Sequence, residues 1–300
     1  MMPGTLLISL DCEGKWGMAD DPSMLESDPI TNESLRWAYS KLFTLLEQYE
    51  LRATFAVVGL FVAGQDATRA HLREMASSSA CREWLKIPME ALESKATDGW
   101  FYEELPRLVK QSGQHELASH GYSHLPFTWQ GFSDELAHYE LSAMQRLSLE
   151  NSWGVRSMVF PRNQVAFTHL LGQYGIERFR PSTEGEGLAH RIWSLLSEFN
   201  VRANSDLLTA GQAVPAGRFV NWRSGARLIV PPSVTILRWK RILTHAVRTG
   251  GCAHLWFHPH NLITGRDQDV LVAEILKMAS SYVHHGDLNS KTFTNPKDES

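Results

Sequence analysis

The sequence predicts an α/β protein in which parallel strands alternate with helices and close, or nearly close, into a barrel. Short apolar runs alternate with segments of helical periodicity along most of the 300 residues, which is the pattern of repeated βαβ units. There are about seven such apolar runs, a number that suits a barrel. No linker divides the chain, so we expect a single domain over residues 1–289 and a polar, frayed tail over 290–300.

The predicted strands are short apolar runs that end in polar residues. They cover residues 6–10, 53–58, 116–118, 157–160, 176–179, 228–230 and 253–257. The predicted helices carry apolar residues at helical spacing. They cover 33–49, the segment that follows the N-cap residue Ser133, 164–174, 188–199, 236–249 and 268–285, with Gly175 and Gly250 as C-terminal stops. Residues 64–113 break the alternation and predict a helical excursion over one end of the barrel.

Composition excludes several classes of function. The net charge of −4 and the lack of a Lys/Arg run argue against a nucleic-acid partner. Three scattered cysteines form neither a disulfide framework nor a Cys-x-x-Cys metal site, which favours a reducing compartment. The first apolar run is too short for a signal peptide or a membrane span. We therefore expect a cytoplasmic protein without an integral membrane segment.

Reactive side chains follow four of the predicted strands. In a barrel of parallel strands, the loops at the carboxyl ends of the strands carry the functional residues. The strand-end residues are Asp11 and Glu13 in "LDCEG", His120 and His124 in "SHGYSH", Arg162 and Asn163 in "FPRNQ", and His258 in "WFHPH". Four strand ends with such residues predict one shared site at the mouth of the barrel.

Asp11 and Glu13 lie two residues apart, so on an extended chain they project from the same face, while Cys12 points the other way. One carboxylate can bind a cation while the other moves protons. The alternative is a strand-end aspartate that begins a turn, with Glu13 solvated.

His120 and His124 have the i, i+4 spacing that brings two imidazoles onto one face of a helical turn and so within reach of one metal. Two histidines and one carboxylate would form an open, catalytic site. A histidine pair at this spacing is also often incidental. His115 precedes its strand and is interpreted as structural.

His258 directly precedes Pro259, which restricts it to extended geometry and suits it to donate a proton to a leaving group. His254, within the strand, is interpreted as a core histidine. The guanidinium of Arg162 could orient Asp11, clamp an anionic group or form a surface salt bridge. Arg180 shares a strand face with Arg178, where the pair could meet an anion or remain solvated.

Together, the strand-end acids, "SHGYSH" and "LWFHP" resemble the motifs of the polysaccharide deacetylase family, also called the NodB homology domain or carbohydrate esterase family four. The resemblance runs in the family's motif order from about residue 5 to residue 260. It implies a distorted (β/α)7 barrel, one divalent metal ion, usually zinc, and hydrolysis of an N-acyl group from an amino sugar.

The resemblance implies a role for each matching residue. Asp11 would be the general base and His258 the general acid, and the metal ligands would be Glu13, His120 and His124. Arg162 would support catalysis, although Pro161 precedes it whereas the family has a proline two residues after its arginine. The Asp-x-x-x-Trp motif of the family is absent. We further expect substrate contacts from Trp16, Asn163, Arg180 and His260.

The first motif, Asp-x-Glu, is similar to that of a branch with cytoplasmic deformylases, and the flanking sequence resembles members linked to bacterial surface-polysaccharide assembly. The implied function is that of a deacetylase or deformylase in O-antigen or lipopolysaccharide biosynthesis. Its substrate would be a nucleotide- or lipid-linked amino sugar. Two alternatives stay open: a ureide or cyclic-amide hydrolase of the same superfamily, and a non-catalytic sugar-binding protein.

Overall fold

A computed structural model describes residues 2–20, 29–75, 78–182, 195–199, 205–206 and 211–294. These residues contain one sheet of eight parallel strands, and seven of them follow the order β5-β4-β3-β2-β1-β7-β6, while β8 pairs with β1. The strands are β1 (Gly4–Cys12), β2 (Thr54–Val57), β3 (Glu116–Ser119), β4 (Ser157–Val159), β5 (Arg178–Arg180), β6 (Arg218–Phe219), β7 (Cys252–Phe257) and β8 (Leu288–Lys291). The predicted distorted (β/α)7 barrel is confirmed.

Helices surround the sheet. They are α1 (Asn32–Gln48), α2 (Gly59–Glu74), α3 (Ser79–Trp84), α4 (Lys86–Glu93), α5 (Leu105–Ser112), α6 (Asp134–Glu150), α7 (Pro232–Thr249), α8 (Asn261–Thr264) and α9 (Gln268–His284). The expected helical excursion is confirmed as α2 to α5. Ser133 caps α6 by accepting a hydrogen bond from the backbone of Leu136, and both Gly175 and Gly250 adopt the left-handed conformation at helix ends. No helix in the described part of the chain is long and apolar enough to cross a membrane.

Side chains along β1 alternate between the two faces of the sheet, and this alternation positions the functional residues. Leu6, Ile8 and Leu10 belong to the main core between sheet and helices. On the other face, Leu7 contributes to an apolar cluster that also contains Val159 of β4 and Cys252 of β7. Further along this inner face come Ser9 and Asp11, both buried. The barrel interior is therefore apolar at one end and becomes polar towards the carboxyl ends of the strands.

One predicted strand is wrong. Residues 225–229 form a 3-10 helix instead, and Leu228 and Ile229 are exposed, although their apolar character suggested a buried strand. The sixth strand is the two-residue β6, which pairs with β7. Pro231 and Pro232 follow the run and begin α7, which favours the turn over a strand.

Three smaller differences concern segment ends. The predicted helix 164–174 is a 3-10 helix over Thr168–Tyr174, and β5 begins two residues later than expected. The helix expected at 188–199 falls mostly outside the described residues. The tail expected from residue 290 begins within β8, and the backbone N–H groups of Phe293 and Thr294 donate to the Glu116 carboxylate, so this part of the chain is held against the barrel.

Candidate active site

The carboxyl ends of β1, β3, β4 and β7 meet at a cavity of about 720 Å³, a volume typical of ligand pockets. Its lining includes most of the predicted site residues. Among these are Asp11, Glu13, His120, Arg162, Asn163, His258 and His260. His124 lies directly behind the cavity and is buried. The four separate sequence motifs therefore converge on one place.

Glu13 is the centre of the group. Its Oε2 atom lies 3.1 Å from Nε2 of His120 and 2.8 Å from Nε2 of His124, and all three side chains are almost fully buried. Burial would raise the pKa of Glu13, but the charges of His258 and His124 and the close approach of the His120 ring hold it well below its usual range. Glu13 is thus an ionised carboxylate in a buried position beside two imidazoles.

The hydrogen bonds of these imidazoles fit a bound cation. Nδ1 of His120 lies 2.8 Å from the backbone carbonyl of Val159, to which it can donate, and Nε2 is directed at Glu13 at 3.1 Å, where a cation would take the place of a proton. Neither ring nitrogen of His124 has a hydrogen-bond partner of good geometry, although both are buried. Buried, unpaired polar atoms are costly. Three ligand atoms that converge in this way could hold a divalent ion, and the Val159 carbonyl lies where a metal-binding histidine normally has its outer partner.

A second group shares Glu13. Its carboxylate and the rings of His258 and His260 also lie within reach of a single ion. The two rings stack with centroids 5.1 Å apart, and burial lowers the pKa of His260 to about 3. His258 is partly exposed, whereas the Glu13–His120–His124 group is wholly buried. Of the two groups, Glu13–His120–His124 is the one more shielded from water.

The i, i+4 spacing of His120 and His124 suggested a helical turn, but the turn between them is not helical. Gly121 and His124 both have positive φ angles, of 75° and 62°, and this tight turn brings the two rings within 4.9 Å of each other. A left-handed φ is unfavourable for a histidine and needs support from its surroundings. The support comes from Glu140 of α6, whose carboxylate accepts hydrogen bonds from the backbone N–H groups of Tyr122 and Ser123 and from the Ser123 hydroxyl.

Asp11 is paired with Arg180. Nη1 of Arg180 donates to Oδ1 of Asp11 at 2.9 Å and Nη2 donates to Oδ2 at 2.6 Å. Burial raises the pKa of Asp11, but the charges of Arg180, His120 and His258 and the hydrogen bonds from Arg180 together outweigh it, and the net pKa is lowered. Nη2 also donates to the side-chain oxygen of Asn163 at 2.8 Å. The carboxylate of Asp11 is therefore ionised and fixed in orientation.

A chain of hydrogen bonds extends from Arg180 into the barrel. Nη1 of Arg180 donates to the Ser9 hydroxyl at 3.0 Å, and Ser9 lies 2.9 Å from Nε2 of His254. Nδ1 of His254 donates to the Pro215 carbonyl, so Nε2 accepts from Ser9. Burial lowers the pKa of His254 to about 3, so the ring is neutral. A neutral ring donates through Nδ1 and accepts through Nε2, which agrees with the donor and acceptor assigned to each hydrogen bond from Arg180 to Pro215. His254 is a core histidine, as expected, and it also supports the Arg180–Asp11 pair through Ser9.

Three predicted roles need correction. Arg162 does not orient Asp11, because its guanidinium donates to the Gly17 carbonyl and the Asp20 carboxylate at the rim of the cavity. Arg180, expected to contact substrate, is buried and holds Asp11 instead. Trp16 does not reach the cavity, because the short 3-10 helix that follows Glu13 turns its ring into the core, where its N–H donates to the Trp100 carbonyl.

The remaining predicted residues lie where expected. Nε2 of His258 lies 3.4 Å from Glu13 and 4.0 Å from Asp11 at the cavity mouth. Asn163 and His260 line the cavity. Cys12 is buried in the main core, where its thiol donates to the Leu10 carbonyl, so it points away from the site. His115 accepts from the backbone N–H of Ala53 and packs against Phe55, as a structural histidine does.

Sequence reasoning missed some residues of the site. Phe219, Trp222, Ser224 and Thr264 also line the cavity. The first three could not be placed because the two-residue strand β6, which contains Phe219 and precedes Trp222 and Ser224, has no recognisable pattern. Glu140 did carry a signal, since it lies on the apolar stripe of its helix, between Leu136 and Ala143, where a carboxylate requires partners.

The sequence matches no family model, and no curated protein matches it. Solved structures are similar to it. One is a presumed polysaccharide deacetylase from Mycobacterium smegmatis, 16% identical, with a TM-score of 0.53 over 98% of this chain and 95% of the other. A family 4 carbohydrate esterase from Streptomyces lividans, in complex with acetate, is 12% identical with a TM-score of 0.45 and covers 97% and 93% of the two chains. The Mycobacterium smegmatis structure shows that this chain shares the fold of that protein.

Proposed function

We propose that this protein is a metal-dependent N-deacylase that removes an acetyl or formyl group from an amino sugar. The carrying observation is the convergence of an ionised base, Asp11, a buried three-ligand group and an accessible histidine, His258, at one cavity. The fold it shares with a presumed polysaccharide deacetylase and the family motifs "SHGYSH" and "LWFHP" support the same activity.

We propose that Glu13, His120 and His124 hold one divalent ion, and we favour zinc because two imidazoles and a carboxylate are ligands that zinc accepts. Bound there, the ion would supply Lewis-acid polarisation of the amide carbonyl and would lower the pKa of water. The three side chains leave the cavity side of the group open for substrate. Their role is to hold the ion at a fixed position beside Asp11.

Asp11 would act as the general base. Arg180 keeps its carboxylate ionised and fixes its orientation, so it is ready to accept the proton of the attacking water. His258 is about a quarter exposed at the cavity mouth, and it would donate a proton to the departing amine. Hydrolysis of an unactivated amide needs both transfers, which argues against a non-catalytic sugar-binding role.

The cavity supports a saccharide substrate. Its volume of about 720 Å³ exceeds the need of a small planar ureide, and Trp222 and Phe219 offer apolar surface for a sugar ring. We further propose that the amino sugar is nucleotide- or lipid-linked and belongs to bacterial surface-polysaccharide synthesis, such as that of O-antigen. The resemblance of the flanking sequence supports this role. A cytoplasmic location agrees with three cysteines that are all free and buried.

The test is a substrate screen with purified protein. N-acetyl and N-formyl amino-sugar nucleotides, the corresponding free sugars, ureides and cyclic amides are incubated with zinc-loaded and chelator-treated protein. Released acetate, formate and primary amine are measured. The proposal expects metal-dependent release of amine from an amino sugar, and loss of this release in Asp11→Asn. Turnover of ureides alone, or none of any compound by metal-loaded protein, would reject it.

A further inference from the structure

We infer that the rim of the barrel beside the cavity is a docking surface for an anionic lipid bilayer. The described residues expose nine large apolar side chains, and five of them belong to three segments that meet near this rim. We call these five residues the rim patch: Leu196, Phe199, Leu228, Ile229 and Leu237. The inference does not depend on the deacylase reaction.

A buried ion-pair cluster brings the segments together. Glu198 lies 2.7 Å from Arg238 and 3.8 Å from Arg227, and all three residues are largely buried. Each has an exposed apolar residue as its direct neighbour in the chain: Phe199 follows Glu198, Leu228 follows Arg227, and Leu237 precedes Arg238. Because the charged groups are in contact beneath them, the apolar side chains share one region of the surface.

The rim patch adjoins the cavity. Arg227 lies over the ring of Phe219, with its guanidinium carbon 5.7 Å from the ring centroid, and Phe219 lines the cavity. Trp222 and Ser224, which also line it, directly precede the 3-10 helix that carries Leu228 and Ile229. A surface bound at the patch would therefore lie next to the entrance of the site.

The charge around the patch fits an anionic surface. Residues 207–266 contain eight Lys and Arg residues and no Asp or Glu, although the whole chain has 33 acidic and 29 basic residues. Among the residues that the structure describes, three acidic ones from outside this segment contact it: Glu198, Asp206 and Asp267. The segment itself is thus basic in composition. Lys240 and Arg241 are exposed on α7 one turn beyond Leu237.

A bilayer with anionic headgroups accounts for both features. Aliphatic side chains insert at the boundary between headgroups and acyl chains, while Lys and Arg contact the headgroup phosphates. A second copy of the chain would satisfy the apolar side chains but would bring two positive segments together, which like-charge repulsion opposes. A nucleic acid would satisfy the charge and leave the apolar side chains in water. The bilayer is the occupant that serves both.

The experiment is co-sedimentation of the full chain with vesicles, either containing phosphatidylglycerol or made of phosphatidylcholine alone. We expect binding to the anionic vesicles, weakened by salt, and little binding to the neutral ones. The double variant Leu228→Ser with Ile229→Ser should bind at least about tenfold more weakly, because two inserted side chains are lost. Lys240→Glu should weaken binding several-fold and more so at low salt. Leu149→Ser, which replaces an even more exposed leucine on α6, is the control and should bind as the parent does.

Two results would overturn the inference. One is a vesicle result: either the parent does not bind anionic vesicles, or the parent and the double variant bind them equally. The melting temperatures of the two proteins must be similar, so that the comparison is between folded proteins. The other is a lipid-free dimer of the parent that the double variant loses, which would make the patch an interface between copies. Hydrolysis of water-soluble amino sugars is measured separately, so failure of the deacylase proposal leaves the vesicle result unaffected.

Discussion

Arg180 donates two parallel hydrogen bonds to the carboxylate of Asp11, and both side chains are at least 97% buried. Two charges so deeply buried are stable only when the geometry is good and the remaining hydrogen-bonding groups are satisfied. Ser9 and Asn163 satisfy further N–H groups of Arg180. The arrangement fixes the base of the proposed reaction before any substrate binds.

Replacing Arg180 should raise the pKa of Asp11, because burial raises it and the charge of Arg180 lowers it. In Arg180→Gln, the acidic limb of the profile of kcat/KM against pH should therefore move to higher pH. Arg180→Lys keeps the charge but loses the paired geometry, so its limb should move less. The measurement is the pH profile of metal-loaded protein on its best substrate.

Arg178→Gln, on the same strand, is the control and should leave the limb in place. Because loss of one partner of a buried ion pair costs about 3–5 kcal/mol, the Gln variant must be shown to remain folded at the assay temperature. If the acidic limb of the profile of kcat/KM against pH lies at the same pH in both Arg180 variants and in the parent, Asp11 is not the titrating base.

Asp11→Asn and His258→Ala should each lower kcat by about 10²–10⁴-fold, the usual contribution of one general catalyst. Neither change removes a proposed metal ligand, so bound metal should stay at the parental level in both variants. The comparison is steady-state kinetics together with metal content. His115→Gln is the control, since His115 packs against Phe55 and lies outside the cavity. Full kcat in His258→Ala would remove His258 from the role of acid.

Glu140→Ala should weaken metal binding without touching a ligand. The change removes three hydrogen bonds that hold the turn between His120 and His124. Outer partners of metal ligands are typically worth 10–100-fold in affinity, so we expect a loss of about that size in a chelator competition. Glu140→Gln, which keeps one acceptor oxygen, should lose less. Equal affinities in Glu140→Ala and in the exposed-site control Glu135→Ala would show that the turn does not need this carboxylate.

His71 should make the protein less stable in acid. Burial lowers its pKa from 6.5 to about 4, so the unfolded chain binds a proton that the folded chain does not bind. Its stabilising contribution is complete above about pH 6.5 and is lost as the pH falls towards 4, at about 1.4 kcal/mol per pH unit. In His71→Phe, the free energy of unfolding should fall less steeply between pH 6 and pH 4.5, as measured by urea unfolding. Parallel curves for the parent and the variant would contradict the assignment.

Local pattern was enough to predict β1, the main helices and the positions of Asp11, Glu13 and His258, because apolar periodicity and strand ends are local features. The partners of these residues depend on how the barrel closes. Arg162 was the candidate to orient Asp11 and Arg180 a candidate for substrate contact, and only the closure of the sheet brings Arg180 rather than Arg162 to Asp11.

Other misses share this cause. The two residues of β6 form a strand only because β7 lies beside them, and no periodicity can reveal so short an element. Trp16 follows Glu13 closely in the chain, yet one 3-10 turn directs it into the core. The apolar run at Leu228 and Ile229 resembled a buried strand because sequence alone does not distinguish a buried apolar run from an exposed one.

The most direct test of the account is the zinc stoichiometry of the metal-free protein, measured by equilibrium dialysis, because every proposed catalytic step depends on the Glu13–His120–His124 group. We predict one tightly bound ion per chain in the parent and in Cys12→Ala, and none at the same free zinc concentration in His124→Ala. The Cys12 change removes a neighbouring side chain that faces the core, at a cost of about 1–2 kcal/mol in stability. An ion retained in His124→Ala, or lost in Cys12→Ala, would contradict the ligand set and the reaction built on it.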